Sequence, residues 1–267
     1  MAKMTMVQAL NLALRQEMEK DDGVIVLGED VGLDGGVFRV TDGLINQFGD
    51  QRVLDTPLAE SAIAGMSIGM AAYGLKPVCE IQFSGFSYQN FHQIENHAAR
   101  LRWRSRGRYH VPMVLRTPYG GGVRALEHHS ESREAYWAHT PGLKMVIPSG
   151  PRSARALLVS AIRDPDPVIF YEPKALYRAF REEVPEAEET LPQSGRGATS
   201  EHATRKQAAS GESGSDSDGG ERDSSDEELQ ALIDELMGRG GESTVMENAL
   251  EHIVTRITDE GLIIELF

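Results

Sequence analysis

Short apolar runs alternate with segments of helical periodicity along residues 5–180 of the chain. The strand candidates are almost wholly apolar, and they lie within residues 23–30, 52–56, 76–83, 111–122, 144–150 and 167–173. The helix candidates place apolar residues three or four positions apart, and they cover residues 5–21, 41–50, 60–74, 88–107, 130–142 and 151–164. Apolar strands separated by helices are typical of a parallel sheet covered on both faces. The pattern therefore predicts an α/β fold with a doubly wound parallel sheet.

Polar and glycine-rich segments directly follow four of these strands: "GEDVGLDGGVF", "DTPLAES", "IQFSGFSYQN" and "TPYGGGVRALEHHSES". In open parallel sheets, ligands bind at the carboxyl ends of the strands. The pattern therefore predicts a binding face at this edge of the sheet.

The composition changes sharply after Pro185, and we expect three regions. Residues 1–186 form the α/β domain. Residues 187–226 contain almost no large apolar side chain, which is typical of a disordered acidic linker. Residues 227–267 read as a short fragment with a helix followed by a strand, cut short within the apolar run "LIIELF".

The net charge of −14 resides in the second part of the chain. Residues 186–267 hold 20 Asp and Glu against 6 Lys and Arg, whereas residues 1–185 hold 21 of each. The acidic part argues against nucleic-acid binding. The basic cluster at residues 99–110 ends a predicted helix. We therefore interpret its arginines as interacting favourably with the helix dipole or pairing with acidic residues of a partner.

Two further features bear on where the protein works. No apolar run is long enough to cross a membrane, and the first 21 residues lack the apolar core of a secretory signal, which predicts a cytoplasmic protein. The single cysteine, Cys79, lies in an apolar strand and is expected to act as a small hydrophobic residue.

Glu60 is the most informative candidate for chemistry. It stands at the start of a helix among Ala, Ile and Gly, where loss of hydration should raise the pKa of its carboxyl group. The alternative is that Glu60 merely favours the helix N-terminus. The pair His128 and His129 offers an acid, base or hydrogen-bond donor, whereas a zinc site is not expected without further ligands at suitable spacing.

Together, five segments resemble the beta subunit of the thiamine diphosphate-dependent 2-oxo acid dehydrogenases, the pyruvate and branched-chain enzymes. They are "LGEDVGLDGGVFRVTDGL", "VLDTPLAESAIAGMSIGMAAYGLKPVCEIQF", "RTPYGGG", "HHSESREAYWAHTPGLKMVIPS" and "AIRDPDPVIFYEPKALYRA". The resemblance covers about residues 4–186 in unbroken order. It implies a transketolase-like pyrimidine-binding domain that takes part in oxidative decarboxylation of a 2-oxo acid, with acyl transfer to lipoamide.

The resemblance also implies residue roles. Glu60 would hydrogen-bond a ring nitrogen of the cofactor's aminopyrimidine, with the Leu58 backbone and the Gln82 side chain close to that ring. Phe86 would stack on its face, and His129 would orient the substrate carboxylate or help acyl transfer. From the residues alone, Leu58 and Phe86 could equally be core and Gln82 a polar strand end.

The same resemblance implies partners and ions. Carbonyls near Ala161 and Asp164 would bind potassium, although Asp164 could equally be a plain turn residue. The diphosphate and Mg²⁺ would lie on an alpha subunit, because no Gly-Asp-Gly occurs in this chain. We therefore expect a heterotetramer with that subunit and a lipoyl-bearing dihydrolipoyl acyltransferase as a further partner, with neither nucleic acid nor membrane.

The region past residue 226 resembles the periplasmic stem of a flagellar motor stator B subunit, and no function is assigned to it. The usual second α/β domain of the beta subunit is missing from the pattern. Two alternatives therefore stay open: an inactive remnant that acts as an interaction module, and half of a transketolase-like enzyme. The sequence leaves open which 2-oxo acid is used.

Overall fold

The structure is a computed structural model that describes residues 1–122, 125–185, 187 and 189–192, and the backbone of residues 253–258 and 261–266. The chain divides into two compact units, Met1–Ser194 and Gly195–Phe267.

The first unit is built on a parallel sheet of six strands. Its strands are β2 (Val24–Gly28), β3 (Val53–Asp55), β4 (Lys76–Glu80), β5 (Val114–Tyr119), β6 (Lys144–Val146) and β7 (Val168–Pro173), with β1 (Ala2–Met4) and β8 (Glu182–Val184) outside this sheet. The strand order is β3-β2-β4-β5-β7-β6, and every neighbouring pair is parallel. This arrangement confirms the predicted α/β class and its parallel sheet.

Helices connect the strands. They are α1 (Met6–Lys20), α2 (Leu44–Phe48), α3 (Glu60–Ala72), α4 (Phe91–Gln93), α5 (Ala99–Arg104), α6 (Glu134–Ala138) and α7 (Pro151–Arg163), with a π-turn at Ile94–Ala98 and 3₁₀ turns at Ser84–Gln89, Glu127–His129 and Lys174–Leu176. Helix α1 begins with a capping box in which Thr5 and Gln8 satisfy each other's backbone amides. Helix α7 begins with Pro151. Proline has no backbone N–H, so it leaves no unpaired donor in the first turn of the helix.

Successive strand residues point to opposite faces, so the sheet has two hydrophobic cores. One core contains Val78 and Val114 and packs against α1 and α7. The other contains the adjacent residues Cys79 and Leu115 and packs against α3 and Trp137 of α6. Both faces are therefore covered, as wholly apolar strands require.

Three predicted helices differ from their observed form, and the one expected over residues 130–142 is confined to α6. The helix expected over residues 41–50 is confined to α2, because Gly43 adopts a left-handed conformation with φ of 77° and the Thr41 hydroxyl donates to the Val31 carbonyl oxygen instead. The helix expected over residues 88–107 is interrupted by the π-turn. The carbonyl oxygen of Val31 lies outside the segment 41–50, so the pattern of that segment alone does not show this contact.

The sequence pattern also missed a small ribbon. Strands β1 and β8 pair antiparallel and join the start of the chain to residues 182–184. Each strand has only three residues, too few for an alternating pattern to be recognised.

In the second unit, β9 (Ile253–Thr258) and β10 (Gly261–Leu266) pair antiparallel. The expected final strand is present, but residues 253–258 form a strand where the sequence predicted helix before it. Their β-branched residues favour this outcome. The disordered linker predicted over residues 187–226 lies almost wholly outside the described residues, as do the start of the predicted helical fragment and most of the stator-like segment.

Within the described part of the chain, no helix combines the length and the apolar character needed to span a bilayer.

Candidate active site

Glu60 lies at the carboxyl edge of the sheet, where the predicted binding face was expected. Five residues after β3 ends, it begins α3, and it is 7 % exposed. Ala59 is the N-cap residue and provides no side-chain cap, so Glu60 is an acid in the first turn rather than the cap itself. The favourable position at a helix N-terminus and a role in chemistry are therefore compatible.

A second carboxyl group, Glu29, belongs to the same site and was not singled out from the sequence. It directly follows β2, is 7 % exposed, and its Oε1 has no hydrogen-bond partner among the described residues. Burial raises the pKa of Glu29 to about 6, with further contributions from the negative charges of Glu60 and Asp30. The signal was available in "VLGED", an apolar strand that ends on acids.

The loop between β3 and α3 positions Leu58, and β4 leads into Gln82. Leu58 is 80 % exposed, so the alternative that Leu58 is a core residue is wrong. Gln82 is half-buried, and its Nε2 donates to Oδ2 of Asp30 at 3.0 Å. Since β3, β2 and β4 are neighbours in the sheet, the structure brings Glu60, Glu29 and Gln82 to one edge.

An aromatic cluster lies beside these groups. Phe86 is half-buried, and its ring is parallel to that of His128 with centroids 6.0 Å apart. The His129 ring meets Phe86 at 5.3 Å and Phe83 at 4.5 Å, in both cases edge to face. The Phe86 ring is thus held by neighbouring rings in a defined orientation.

The segment that carries His129 is fixed by close backbone contacts. Ser84 Oγ donates to the Glu131 carbonyl oxygen at 2.6 Å, and the Lys174 ammonium donates to the His129 carbonyl oxygen. At Gly85 a Cβ atom would lie 2.1 Å from the carbonyl oxygen of His128, so only glycine allows this approach. His129 is therefore a positioned side chain, and its buried Nδ1 has no hydrogen-bond partner among the described residues.

Below this edge lies a buried ion cluster that sequence reasoning also missed. Arg116 of β5 donates to Glu80 Oε2 of β4 at 2.8 Å and to both Glu172 oxygens of β7 at 2.6 and 2.9 Å. The Tyr177 hydroxyl donates to Glu172 Oε2 at 2.5 Å. The signal was one charged residue near the end of each of three adjacent apolar strands.

Within the cluster, the pKa values of Glu80 and of Arg116 both lie above their ordinary values, but for different reasons. Burial raises the pKa of Glu80, although the Arg116 charge opposes the rise. Burial would lower the pKa of Arg116, but the charges of Glu172 and Glu80 hold it above its usual value. Arg116 thus stays charged and ties three strands together beneath the site.

The structure does not bring Ala161 and Asp164 into this site. They lie at the end of α7, which precedes the amino end of β7. Lys144 Nζ contacts both oxygens of the Asp164 carboxylate at 2.7 Å, and the carbonyl oxygen of Ala161 accepts the Asp164 amide at 3.2 Å. Across the described residues, no three His, Cys, Asp or Glu side chains group as metal ligands would.

Several buried polar atoms in the segments that follow the strands have no hydrogen-bond partner among the described residues. Besides Glu29 Oε1 and His129 Nδ1, these atoms include Thr56 Oγ1 and the Oδ1 and Nδ2 atoms of Asn90. None of them has a partner within the described part of the chain. A buried polar group without a partner costs about 1–3 kcal/mol. These groups fit a polar, planar heterocycle that supplies hydrogen-bond partners, as the aminopyrimidine of thiamine diphosphate would.

Comparisons with known proteins find related sequences. Residues 2–179 match the family described as the transketolase pyrimidine binding domain. A pyruvate dehydrogenase E1 component subunit beta from Acholeplasma laidlawii is 57% identical over 185 residues, which cover 69% of this chain and 57% of that protein. The corresponding Bacillus subtilis protein is 53% identical over 191 residues, 72% of this chain and 59% of that one. The chain thus spans less than two thirds of the length of these relatives.

A solved structure extends the likeness in fold. A split gene transketolase, described as an inactive beta4 tetramer, superposes with a TM-score of 0.51 at 18% identity, covering 64% of this chain and 52% of that one. At this identity the match concerns the fold alone.

Proposed function

The chain belongs to the family of transketolase pyrimidine-binding domains, and from this premise we propose that it is the pyrimidine-binding beta subunit of a 2-oxo acid dehydrogenase. The resemblance to such beta subunits, which the motifs predicted, is confirmed by the identities of 53–57%. The observation that carries the proposal is the placement of a buried glutamate, Glu60, at the ligand edge of the sheet. The reaction proposed is decarboxylation of a 2-oxo acid, pyruvate or a branched-chain acid, with acyl transfer to lipoamide.

The residues at the edge fit thiamine diphosphate. When bound, this cofactor supplies a carbanion that attacks the 2-oxo carbon and accepts the electron pair released with carbon dioxide. Glu60 would hold a proton at a ring nitrogen of the aminopyrimidine, the Leu58 backbone and the Gln82 side chain would contact that ring, and Phe86 would provide a stacking face. The absence of hydrogen-bond partners for Glu29 and Thr56 within the described residues supports this assignment.

Glu29 complements Glu60 in this proposal. With a pKa raised to about 6 by burial, Glu29 can take up or release a proton close to neutral pH, directly beside the Glu60 charge. The two carboxyl groups can therefore donate a proton to a bound molecule, or accept one from it, without proton transfer from bulk water.

His129 belongs to the aromatic cluster and has a separate role in this proposal. It orients the carboxylate of the substrate or assists acyl transfer to the lipoyl group. Its ring is fixed by Phe83 and Phe86, and the free Nδ1 supports a hydrogen bond to a bound molecule.

The partners follow from the family resemblance. An alpha subunit holds the diphosphate and Mg²⁺ and completes a heterotetramer, and a lipoyl-bearing dihydrolipoyl acyltransferase accepts the acyl group. A potassium ion near α7 would be held by main-chain carbonyls such as that of Ala161, because the Asp164 carboxylate is paired with Lys144. The cytoplasmic location stays a prediction.

The second hypothesis is an inactive interaction module, and the exchange experiment described below separates it from the first. The chain covers 57% of the Acholeplasma laidlawii relative, so part of that protein's length has no counterpart in the match.

Hydrogen exchange at the reactive thiazolium carbon separates these functions. We expect the full chain, mixed with its alpha subunit, thiamine diphosphate and Mg²⁺, to accelerate deuterium exchange at that carbon, and Glu60→Gln to lower the rate by at least about 10²-fold, typical of a lost acid–base group. Glu183→Gln, on the exposed face of β8, is the matched control and should leave exchange unchanged. Undiminished exchange in Glu60→Gln overturns the assignment of Glu60, and no acceleration by the wild-type mixture supports the inactive module.

A further inference from the structure

A hollow lies at the end of the sheet opposite to the candidate active site. Its lining includes Val111, Gly142 and Pro167, which lie just before β5, β6 and β7 begin, and its volume is about 820 Å³. Because the site described above lies beyond the carboxyl ends of the strands, the two regions are separated by the length of the sheet.

The floor of the hollow is apolar and closely packed. Ala98 and Ala99 are buried there, and at Gly142 a Cβ atom would lie 2.1 Å from the carbonyl oxygen of Ala99. The small residues leave room for an incoming side chain and offer it little except apolar surface. Burial of an apolar side chain in such a hollow removes it from water and is therefore favourable.

Trp103 stands at the rim of this hollow and is 87 % exposed. An indole ring buries up to about 250 Å² when covered, so leaving it in water forgoes a large stabilisation. Tryptophan is also among the residues that contribute most binding energy at protein interfaces. The exposed ring therefore indicates a surface that a partner covers.

The rim is positively charged. Arg102, Arg104 and Arg106 line the hollow, while the carboxylate on the same rim, Asp166, is paired with Arg102 at 2.6 Å. Arg104 donates to the carbonyl oxygen of Asn96 at 2.6 Å. Because a carbonyl oxygen carries no net charge, this contact does not neutralise the guanidinium group. Within the described residues, neither Arg104 nor Arg106 has a carboxylate partner.

We propose that this arginine–tryptophan surface, defined by Arg102, Trp103, Arg104 and Arg106 around the hollow, is a docking surface for an acidic polypeptide segment of a partner protein. An apolar side chain of that segment enters the hollow against Trp103, and its flanking carboxylates pair with Arg104 and Arg106. An apolar centre with a charged rim is the usual anatomy of a protein interface.

The charge distribution favours a polypeptide over a nucleic acid. A nucleic acid needs a continuous track of cations along its phosphates. Residues 1–185 carry 21 acidic and 21 basic residues, so this part of the chain has no net positive charge to attract a phosphate backbone. The proposal does not depend on the cofactor site, since the two regions lie at opposite ends of the strands.

Tryptophan fluorescence offers a direct test on the full chain. The protein has two tryptophans, and Trp137 is only 1 % exposed, so quenching by acrylamide reports on Trp103. The probe is a short synthetic peptide rich in Asp and Glu with one central Phe. Three comparison probes are the same peptide with Asn and Gln in place of the acids, the same peptide with Gly in place of Phe, and single-stranded oligo(dT).

We expect the acidic Phe peptide to protect Trp103 from quenching and to bind at least about tenfold more tightly than either altered peptide. Arg106→Glu should weaken binding by about tenfold or more, Arg104→Glu should do the same, and added salt should weaken wild-type binding. Lys3→Glu, at the exposed position of β1, is the matched control and should bind the peptide as the wild type does. Unchanged Trp137 emission and circular dichroism verify the fold of each variant.

The proposal is overturned by any of three results: no protection of Trp103 by the acidic peptide, equal binding of the neutral peptide, or tighter binding of oligo(dT) than of the acidic peptide. Binding that survives both arginine substitutions overturns it as well, because the charges around the hollow would then contribute nothing.

Discussion

The charge of Glu29 should make the stability of the first unit depend on pH in an unusual direction. Burial and the neighbouring charges of Glu60 and Asp30 raise the pKa of this carboxyl group from an ordinary 4.5 to about 6. Since each pKa unit corresponds to about 1.4 kcal/mol, the folded state is destabilised by about 2 kcal/mol once Glu29 is ionised. Substitution by Gln removes this cost where the carboxylate would be charged.

The sign follows from proton binding. Between about pH 4.5 and pH 6 the folded protein holds a proton on Glu29 that the unfolded chain has released. The contribution of Glu29 to the free energy of unfolding therefore falls as pH rises through this window. Below about pH 4 both states are protonated, and the contribution vanishes.

The assay is urea unfolding of the full chain from pH 4 to pH 7.5, followed by the emission of buried Trp137. We expect the free energy of unfolding of Glu29→Gln, relative to wild type, to increase by about 2 kcal/mol between pH 4 and pH 7. This change with pH is the measured quantity, because a constant packing cost of Gln cancels from it. In a Glu60→Gln background the change should become smaller, since the Glu60 charge contributes to the raised pKa.

Two results refute this reasoning. A difference between Glu29→Gln and wild type that is flat from pH 4 to pH 7.5 means that burial does not disfavour the ionised form. A difference of opposite sign means that an unseen cation stabilises the carboxylate. The exposed Glu183→Gln variant controls for the general effect of removing a carboxyl group.

Two further outcomes test the packing beneath the site. Arg116→Met should lower the free energy of unfolding by about 3–5 kcal/mol at neutral pH in urea titrations, because two buried carboxylates lose their cation, and a loss below about 1 kcal/mol contradicts the assigned ion cluster. Burial raises the pKa of the Cys79 thiol to about 11, so the folded protein should resist a thiol reagent such as DTNB at pH 8 and react promptly after denaturation in urea, whereas rapid reaction of the folded protein contradicts its burial.

The sequence predicted the parallel sheet well because its signal is local and strong. Apolar runs such as "VIVLG" and "VIFYEP" must be covered on both faces. A single parallel sheet with helices on both sides covers several such runs at once. Where contacts distant in sequence decide the outcome, prediction was weaker. The turn at Thr41, which replaces the first part of a predicted helix, depends on the carbonyl oxygen of Val31.

The candidate site was predicted only in part for the same reason. Glu60 stood out because it is one acid among small apolar residues, and Gln82 and Phe86 followed from the family resemblance. Glu29 was hidden among neighbouring acids, and its pKa is raised first by burial and then by the charge of Glu60, which is 31 positions away in sequence. Properties that arise from two strand ends meeting in space cannot be read from either strand alone.

Acidic groups are concentrated at this edge of the sheet, and the ion cluster explains how the fold tolerates them. Glu80 and Glu172 flank Arg116 in the layer below, so their charges are compensated within the cluster. Glu29 has no such cation among the described residues, and burial is the largest cause of its raised pKa. The architecture therefore separates carboxylates that hold strands together from carboxyl groups that are free to exchange protons with a ligand. That separation suits an acid–base site on a parallel sheet, because both oxygens of Glu172 are taken up by Arg116, whereas Oε1 of Glu29 has no partner among the described residues and can face a ligand.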